Sequence, residues 1–334
     1  MTASKAGPRA ARWRAVAVLT LDIVACLLVG ACESQPATPA AARPSPQLCV
    51  SSPTHSSDRF ASVHGYITYS DGSEIWAVDL NHPANRISLG PSHGLTPVVW
   101  SGDGSRLLLQ TPVRGDLYVM NADGCQTRLT SDGLNGSGSF SADATKVVFS
   151  RDDGLYVVDA KGGTPRLFAK PFGMSSYESL ALSRDGSRIA YMVFVTDGIY
   201  QIWTVRSDGT DPRLLIDLGL CERGGCSGGL AWSPDGSMLA FHSSRGNPRS
   251  PNSAIYLVRA DGSGLRRIFS DGGVEPRWSP DGSRIAFYQR LEQDRTDPPG
   301  QLFTMAADGS DVTSVEGVFP SYFSGLAWNP VPEA

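Results

Sequence analysis

A short serine motif and five histidines are the residues of this chain that could support hydrolysis. The segment Gly225-Cys-Ser-Gly-Gly229 matches G-x-S-x-G, in which a serine on a strand-to-helix turn acts as a nucleophile. Here the match falls in a loop between two repeated β units, so we interpret it as a chance match. The histidines (His55, His64, His82, His93 and His242) show no HExxH-type spacing, and no P-loop or GxGxxG motif occurs. The sequence therefore predicts no catalytic residue, no metal ion and no cofactor.

The first 31 residues have the pattern of an export signal. A positive segment with Lys5, Arg9, Arg12 and Arg14 precedes an apolar run, which ends in Leu28-Val-Gly-Ala-Cys32. This ending resembles the lipobox of bacterial lipoproteins, in which the cysteine receives diacylglycerol and becomes the first residue of the mature chain. The resemblance implies that Cys32 is the lipidation site. The alternative is an uncleaved anchor, because the 17 apolar residues from Ala15 to Ala31 nearly suffice to cross a bilayer.

Four of the six cysteines remain once Cys26 leaves with the signal and Cys32 takes lipid. An even number of cysteines in an exported chain favours two disulfides, for which three pairings exist. Cys221 and Cys226 share one loop, so we expect them to pair with each other and Cys49 to pair with Cys125. Zinc binding is the alternative, although the thiols of an exported chain tend to oxidise.

The charge of the chain argues against a nucleic-acid partner. The 334 residues carry a formal charge of −4, and the signal removes four positive charges and one negative charge, which leaves −7. No basic stripe occurs that could neutralise phosphates.

Residues 32–59 are rich in Pro, Ala and Ser and contain almost no residues able to form a core. Such a segment cannot offset its ordering entropy by burial, so we predict a tether.

The rest of the chain repeats one unit of four strands. Five turns share a Ser-x-Asp-(Gly/Ala)-(Ser/Thr) pattern and are spaced 40 to 50 residues apart, at Ser101–Ser105, Ser141–Thr145, Ser183–Ser187, Ser233–Ser237 and Ser279–Ser283. Each turn follows a large apolar residue and precedes a nearly continuous apolar run, which is typical of a strand buried on both faces. A period of 40 to 50 residues with four strands is that of a β-propeller blade. The turn aspartates are expected to bond to nearby backbone amides and so to stabilise the turns.

The two ends of the repeat array complement each other. The first repeat lacks a leading strand, and Phe323–Pro330 supplies a leading strand with no repeat after it. We therefore predict an all-β fold, a six-bladed β-propeller over residues 60–330 whose C-terminal strand joins blade 1. The six large residues that lead the blades are expected in the core: Trp100, Phe140, Leu182, Trp232, Trp278 and Trp328.

The segments of the form (W/F/L)-S-x-D-(G/A)-(S/T), two of them WSPDGS, resemble the WD-like repeats of the TolB propeller family. The resemblance covers about residues 60–330 and implies the propeller fold and a binding-scaffold role in the cell envelope. TolB proteins carry an additional α/β domain before the propeller, and this sequence shows a tether at that place.

Longer and more variable connections are predicted on one face of the propeller, which makes that face the candidate binding surface. They include Asp217–Gly229, Ser243–Ser253 and Arg290–Gly300. The candidate contact residues are Arg245, Arg249, Arg290, Glu292, Asp294 and Arg295, together with Glu275 near the central channel.

The sequence predicts an exported, non-catalytic scaffold that is anchored through lipid to the extracytoplasmic side of a bacterial membrane and binds an envelope protein or peptide. The alternative is a propeller enzyme, or a carbohydrate or small-ligand binder, with its site at the central channel.

Overall fold

Twenty-five β-strands and one 3₁₀ turn, Ala61–Val63, form the secondary structure of the residues that the computed structural model describes. These residues are 47–48, 59–112, 115–170, 176–195, 199–220, 227–245, 253–289, 300–318, 320 and 325–330. They belong to one unit of the chain, residues 42–334.

The strands form six antiparallel sheets of at least four strands, the blades. From the innermost strand outward, blade 1 contains β25 (Ala327–Trp328), β2 (Ile67–Ser70), β3 (Glu74–Val78) and β4 (Ile87–Pro91). Blade 2 contains β5 (Thr96–Trp100), β6 (Arg106–Gln110), β7 (Leu117–Asn121), β8 (Gln126–Arg128) and a fifth strand, β1 (Gln47–Leu48). Blade 3 contains β9 (Gly138–Phe140), β10 (Lys146–Arg151), β11 (Gly154–Asp159) and β12 (Arg166–Ala169).

The other three blades follow the same order. Blade 4 contains β13 (Ser176–Leu182), β14 (Arg188–Phe194), β15 (Ile199–Arg206) and β16 (Arg213–Leu220). Blade 5 contains β17 (Ser227–Trp232), β18 (Met238–Ser243), β19 (Ala254–Arg259) and β20 (Arg266–Phe269). Blade 6 contains β21 (Gly273–Trp278), β22 (Arg284–Gln289), β23 (Gln301–Ala306) and β24 (Thr313–Ser314).

The innermost strands contact one another in the cyclic order β25, β5, β9, β13, β17, β21 and back to β25. β25 pairs with β2, with Trp328 opposite Ile67, so the C-terminal strand completes blade 1. Two backbone bonds continue this pairing, from Gly65 N to Asn329 O and from Asn329 N to Tyr66 O. The predicted six-bladed propeller and its closure are therefore confirmed.

The core of the propeller lies between its blades. Each of the six hydrophobic clusters joins residues of two neighbouring blades. The second strand of a blade is covered from both sides, and Leu107, Leu108 and Leu109 of β6 are all fully buried. This double burial explains why alternation is lost in these strands.

Two boundaries differ from those predicted. Gln47 and Leu48 form β1 although they fall within the predicted tether, residues 32–59, because the open edge of β8 offers them backbone partners. The predicted loop Asp217–Gly229 is shorter than expected, since β16 continues to Leu220 and β17 begins at Ser227.

Candidate functional site

The connections between strands divide over two faces of the propeller. The tight-turn face holds the turns from the first to the second strand of blades 2 to 6 and those from the third to the fourth strand of all six blades. The variable-loop face holds the connections from the second to the third strand and those between blades. Connections on the variable-loop face range from two residues, 152–153, to the twelve residues 315–326. The predicted asymmetry of the two faces is therefore present.

The five repeated turns of the tight-turn face have the same hydrogen bonds. In the first, Ser101 Oγ donates to Asp103 Oδ1 over 2.6 Å and accepts the Arg106 N–H over 2.9 Å. Asp103 Oδ1 also accepts the Ser105 N–H over 3.0 Å. The corresponding bonds recur at Asp143, Asp185, Asp235 and Asp281. These carboxylates are occupied in holding the turns, as the sequence predicted.

These hydrogen bonds favour the ionised aspartates. The Ser141 hydroxyl and the Thr145 amide and hydroxyl lower the pKa of Asp143 to about 2. Hydrogen bonds from the equivalent serines lower the pKa of Asp185, Asp235 and Asp281 in the same way. The pKa of Asp103 is also lowered, although its burial acts in the opposite direction.

A cavity of about 210 Å³ opens in the central channel toward the tight-turn face. Its walls combine the large residues that end the innermost strands, the turn serines, and two charged side chains, Arg184 and Arg277. Among the described residues, no carboxylate lines this cavity. Within the part of the chain that the structure describes, no cluster of three or more His, Cys, Asp or Glu side chains is arranged to hold a metal ion.

The tryptophans at this cavity are hydrogen-bonded as well as packed. Trp232 Nε1 donates to Ala181 O of blade 4, and Trp278 Nε1 donates to Ala231 O of blade 5, each over 3.2 Å. Trp100 Nε1 donates to Thr68 Oγ1 of blade 1 over 2.8 Å. Three of the predicted core residues, Trp100, Trp232 and Trp278, therefore also bind their blade to the preceding one.

A polar cluster lies where the innermost strands of blades 5 and 6 meet. Arg277 donates to Glu275 Oε2 over 2.8 Å and to the Leu326 carbonyl over 2.8 Å. The Glu275 N–H lies 3.3 Å from Nδ1 of the buried His242. Glu275 has φ +52°, in the left-handed region, and belongs to a bulge of β21. The glutamate predicted near the channel is thus already paired with a guanidinium group.

A rigid loop on the variable-loop face was not predicted from the sequence. This loop is the connection 129–137. Asp116, just before β7, pairs with Arg128 at the end of β8 and accepts the N–H of the loop residue Gly133 over 3.0 Å. The fully buried Asn135 donates to Asp132 Oδ1 and Gly115 O, over 2.8 and 3.1 Å. Leu134 lies between Gly133 and Asn135 in this loop, and its N–H donates to Asp132 Oδ1 over 3.4 Å.

Leu134 is 59% exposed, which makes it the most exposed large apolar side chain among the described residues. Arg151 supports the loop from blade 3, with contacts of 2.7 Å to Asp132 and 2.9 Å to Asn135. The Asp-Gly turn at 132–133 was the only sequence signal for this loop. The loop presents an apolar residue on a preorganised backbone.

Several predicted site residues lie outside the described residues: Cys32, Cys49, Cys221, Cys226, Arg249, Arg290, Glu292, Asp294 and Arg295. Arg245 is described, and its N–H donates to Ser243 Oγ over 3.1 Å. Ser227 of the G-x-S-x-G match begins the innermost strand β17 and not a strand-to-helix turn. None of the described residues forms a helix able to cross a membrane.

No protein-family model matches the sequence. Among solved structures, a protein assigned as TolB from Agrobacterium tumefaciens aligns with a TM-score of 0.59 and 23% identity, over 78% of this chain and 91% of that one. TolB from Acinetobacter baumannii aligns with a TM-score of 0.62 and 18% identity, over 82% of this chain and 68% of that one. The fold is a TolB-like six-bladed β-propeller.

The TolB-like propeller fold is also similar to that of an oligogalacturonate lyase solved with manganese. That alignment has a TM-score of 0.50 and 15% identity, over 81% of this chain and 73% of the lyase. TolB proteins and an oligogalacturonate lyase thus have similar propeller folds, so the function of this chain has to be argued from its own residues.

Proposed function

We propose that this protein is a non-catalytic scaffold of the bacterial cell envelope that binds a protein or peptide through its variable-loop face. In this proposal the signal, residues 1–31, is removed, Cys32 carries lipid, and the tether holds the propeller on the extracytoplasmic side of a membrane. The propeller itself spans residues 60–330.

The difference between the two faces carries the proposal. The tight-turn face repeats one hydrogen-bonded turn, whereas the variable-loop face differs from blade to blade. Irregular loops on a rigid scaffold are where binding sites usually occur. The loop 129–137, fixed by Asp116 and Asn135, offers the exposed Leu134 as an apolar anchor.

The likeness to TolB propellers supports a protein partner, and the residues at the channel are consistent with it. The cavity is lined by apolar groups, by the five turn serines together with Ser137 and Ser139, and by two arginines. General acid–base or metal chemistry needs a carboxylate, an imidazole or a metal-ligand set at the reacting centre.

A second candidate function is a small-ligand or carbohydrate site at the channel. The observation that favours it is the cluster of His242, Glu275 and Arg277 beside the channel, in which His242 Nδ1 accepts the backbone N–H of Glu275, a residue with positive φ, and the Glu275 carboxylate accepts from Arg277. The lyase solved with manganese shows that the fold can hold a catalytic site.

A crosslinking pull-down from envelope membranes tests the proposal. The full-length chain is compared with Leu134→Asp and with a variant whose loops 244–253 and 290–300 are shortened. We expect one protein to be captured by the wild type and lost from at least one variable-loop variant. Lys161→Ala, on the tight-turn face, is the matched control and keeps the partner.

The two candidate functions predict different outcomes. Equal capture by all variants, or no specific capture, contradicts binding through the variable-loop face. In that case binding of manganese and of acidic oligosaccharides is measured on the wild type and on His242→Ala, and a loss in this variant favours the channel site.

A further inference from the structure

The sequence contains a single Asn-Gly pair, Asn135-Gly136, and this pair lies in the loop 129–137. In such a pair the backbone nitrogen of the glycine can attack the side-chain amide carbon of the asparagine, because no Cβ on the glycine hinders the approach. Ammonia leaves and a cyclic succinimide forms, which water then opens to aspartate or to isoaspartate. An Asn-Gly pair is therefore a site of spontaneous deamidation wherever its side chain and backbone can rotate.

The side chain of Asn135 is fully buried and is held at both ends of its amide group. Its Oδ1 accepts the Nε–H of Arg151 over 2.9 Å. Its Nδ2 donates toward three oxygens, at 2.8 Å from Asp132 Oδ1, 2.9 Å from Thr130 Oγ1 and 3.1 Å from Gly115 O. One donor on one side and three acceptors on the other fix the orientation of the amide group.

The backbone of the pair is held as well. The N–H of Gly136, which carries the attacking nitrogen, donates to Ser150 O over 2.8 Å. The carbonyl groups of Asn135 and Gly136 accept from Gln110 Nε2 over 3.1 and 3.0 Å. Asn135 also forms an antiparallel bridge with Gly115. Closing the succinimide ring requires rotation about the bonds of Asn135, so the reaction first has to break these contacts.

We propose that Asn135-Gly136 is a guarded deamidation site, at which opening of loop 129–137 leads to conversion of Asn135 to aspartate or isoaspartate. The nitrogen of Gly136 gives up its proton and bonds to Asn135 Cγ, and the side-chain nitrogen leaves as ammonia. Water then adds to one of the two ring carbonyls and restores the N–H. The whole conversion consumes one water and releases one ammonia, with no change of oxidation state.

The closed loop disfavours the product. With aspartate at position 135, an oxygen without a proton replaces Nδ2 and faces the oxygens of Asp132, Thr130 and Gly115 within 3.1 Å. Arg151 continues to pair with the other oxygen, but the lost donors leave buried acceptors unsatisfied and place two carboxylates side by side. Isoaspartate in addition lengthens the backbone by one carbon. A loop that has reacted therefore no longer closes in the same way.

Conversion thus removes the support of the exposed Leu134 and cannot be reversed by refolding. The loss of a binding anchor rests on the proposed function, whereas the modification itself does not. A pull-down that finds no partner leaves the following measurements unchanged.

Peptide mapping by mass spectrometry of the full-length protein measures the guard without any variant. The protein is incubated at mildly alkaline pH, where the peptide nitrogen loses its proton more readily, either folded or unfolded in urea. We expect Asn135 to convert at least about tenfold more slowly in the folded protein, because the reaction then needs a local opening. Equal rates in the two samples overturn the guard.

The variant Arg151→Ala tests the contact at Oδ1. It removes the bond to Asn135 and the ion pair with Asp132, so we expect faster conversion of Asn135 in the folded variant than in the folded wild type. Arg86→Ala is the matched control, because Arg86 stacks on Trp76 at 4.2 Å as Arg151 stacks on Tyr156 at 4.4 Å, but belongs to blade 1. An unchanged rate in Arg151→Ala, or equal acceleration in both variants, overturns the proposal.

The variant Asn135→Asp carries the product from the start. We expect faster hydrogen exchange in peptides that cover residues 129–137 and wild-type exchange in the other blades. Asn121→Asp is the control for the added charge, because Asn121 ends β7 at the tight-turn face, and it keeps wild-type exchange in residues 129–137. Wild-type exchange of the loop in Asn135→Asp would show that the closed loop accepts the product and would overturn this part of the proposal.

Discussion

Indole N–H groups join neighbouring blades around the central channel. Trp100, Trp232 and Trp278 each donate to an acceptor of the preceding blade, in addition to packing at the end of an innermost strand. Phenylalanine or leucine at the same place, as at Phe140 and Leu182, fills space but has no such donor. At the scale of single residues, the repeated tryptophans therefore act both in packing and in blade-to-blade hydrogen bonding.

Replacing Trp232 by phenylalanine tests how much the blade-to-blade hydrogen bond adds to the packing of the aromatic ring. The six-membered ring is retained while the pyrrole ring and its bond to Ala181 O are lost, so we expect the free energy of unfolding to fall by about 1–3 kcal/mol. Urea denaturation measures the change. The control is Trp76→Phe, because the Trp76 N–H bonds to the carboxylate of Asp71 at an exposed site. Equal losses in the two variants would contradict a role for the inter-blade bond.

The turn aspartates predict a loss of stability in acid. Their pKa values are lower in the folded protein than the ordinary value of 3.8, so their stabilising effect is complete above that value and declines as the pH falls. For Asp143 the decline extends down to its folded pKa of about 2. We expect the urea midpoint to fall between about pH 4 and pH 2.

The variant Asp143→Asn shows whether the Asp143 carboxylate contributes to the loss of stability in acid. Its amide oxygen can still accept the bonds from Ser141 and Thr145 but does not titrate. We expect a flatter dependence of the urea midpoint on pH in the variant. Parallel curves for variant and wild type would refute this origin of the acid sensitivity.

Bulges shape the innermost strands at the scale of elements. β17 has one between Gly228 and Ala231, and β21 has one between Val274 and Arg277. Gly229 has φ +64°, and a Cβ there would lie 2.8 Å from His242 Nδ1 and 3.0 Å from Glu275 Cα. The glycine therefore allows blades 5 and 6 to approach each other beside the channel.

Comparison of two glycines measures this close approach. Gly236 has a similar φ of +69° but open space around its would-be Cβ, so Gly236→Ala reports backbone strain alone. We expect Gly229→Ala to lower the unfolding free energy by about 1–3 kcal/mol more than Gly236→Ala does. The measurement is urea denaturation of both variants. Equal losses of unfolding free energy would contradict a close packing of Gly229 against His242 and Glu275.

Closure of the ring depends on β25, which is only two residues long. Without Trp328 and the bonds between Asn329 and the segment Gly65–Tyr66, β2 becomes an open edge. Deleting residues 323–334 should abolish cooperative unfolding or cause aggregation, as followed by circular dichroism and light scattering. Deletion of 331–334 alone leaves β25 in place and serves as the control. Unchanged melting of the longer deletion would contradict closure by this strand.

At the scale of the whole molecule, the repeated blades and the closure of the ring could be predicted from the sequence. The five Ser-x-Asp turns and the apolar runs after them fix four strands per blade, and the incomplete first and last repeats indicate how the ring closes. Loop 129–137 and the contact of Glu275 with His242 could not be predicted in this way, because each joins residues that occur once and lie in different strands. β1 was missed because a two-residue strand in a Pro- and Ser-rich segment has no periodicity.

Photocrosslinking from both faces tests the central claim of binding through the variable-loop face most directly. A photoreactive amino acid is introduced at Leu134 or Asp153 on the variable-loop face, and at Lys161 or Asp208 on the tight-turn face, of the full-length chain in cells. We predict an adduct of one defined mass from positions 134 and 153 and none from 161 and 208. Adducts from the tight-turn positions alone, or from no position, would contradict the scaffold function proposed for this propeller.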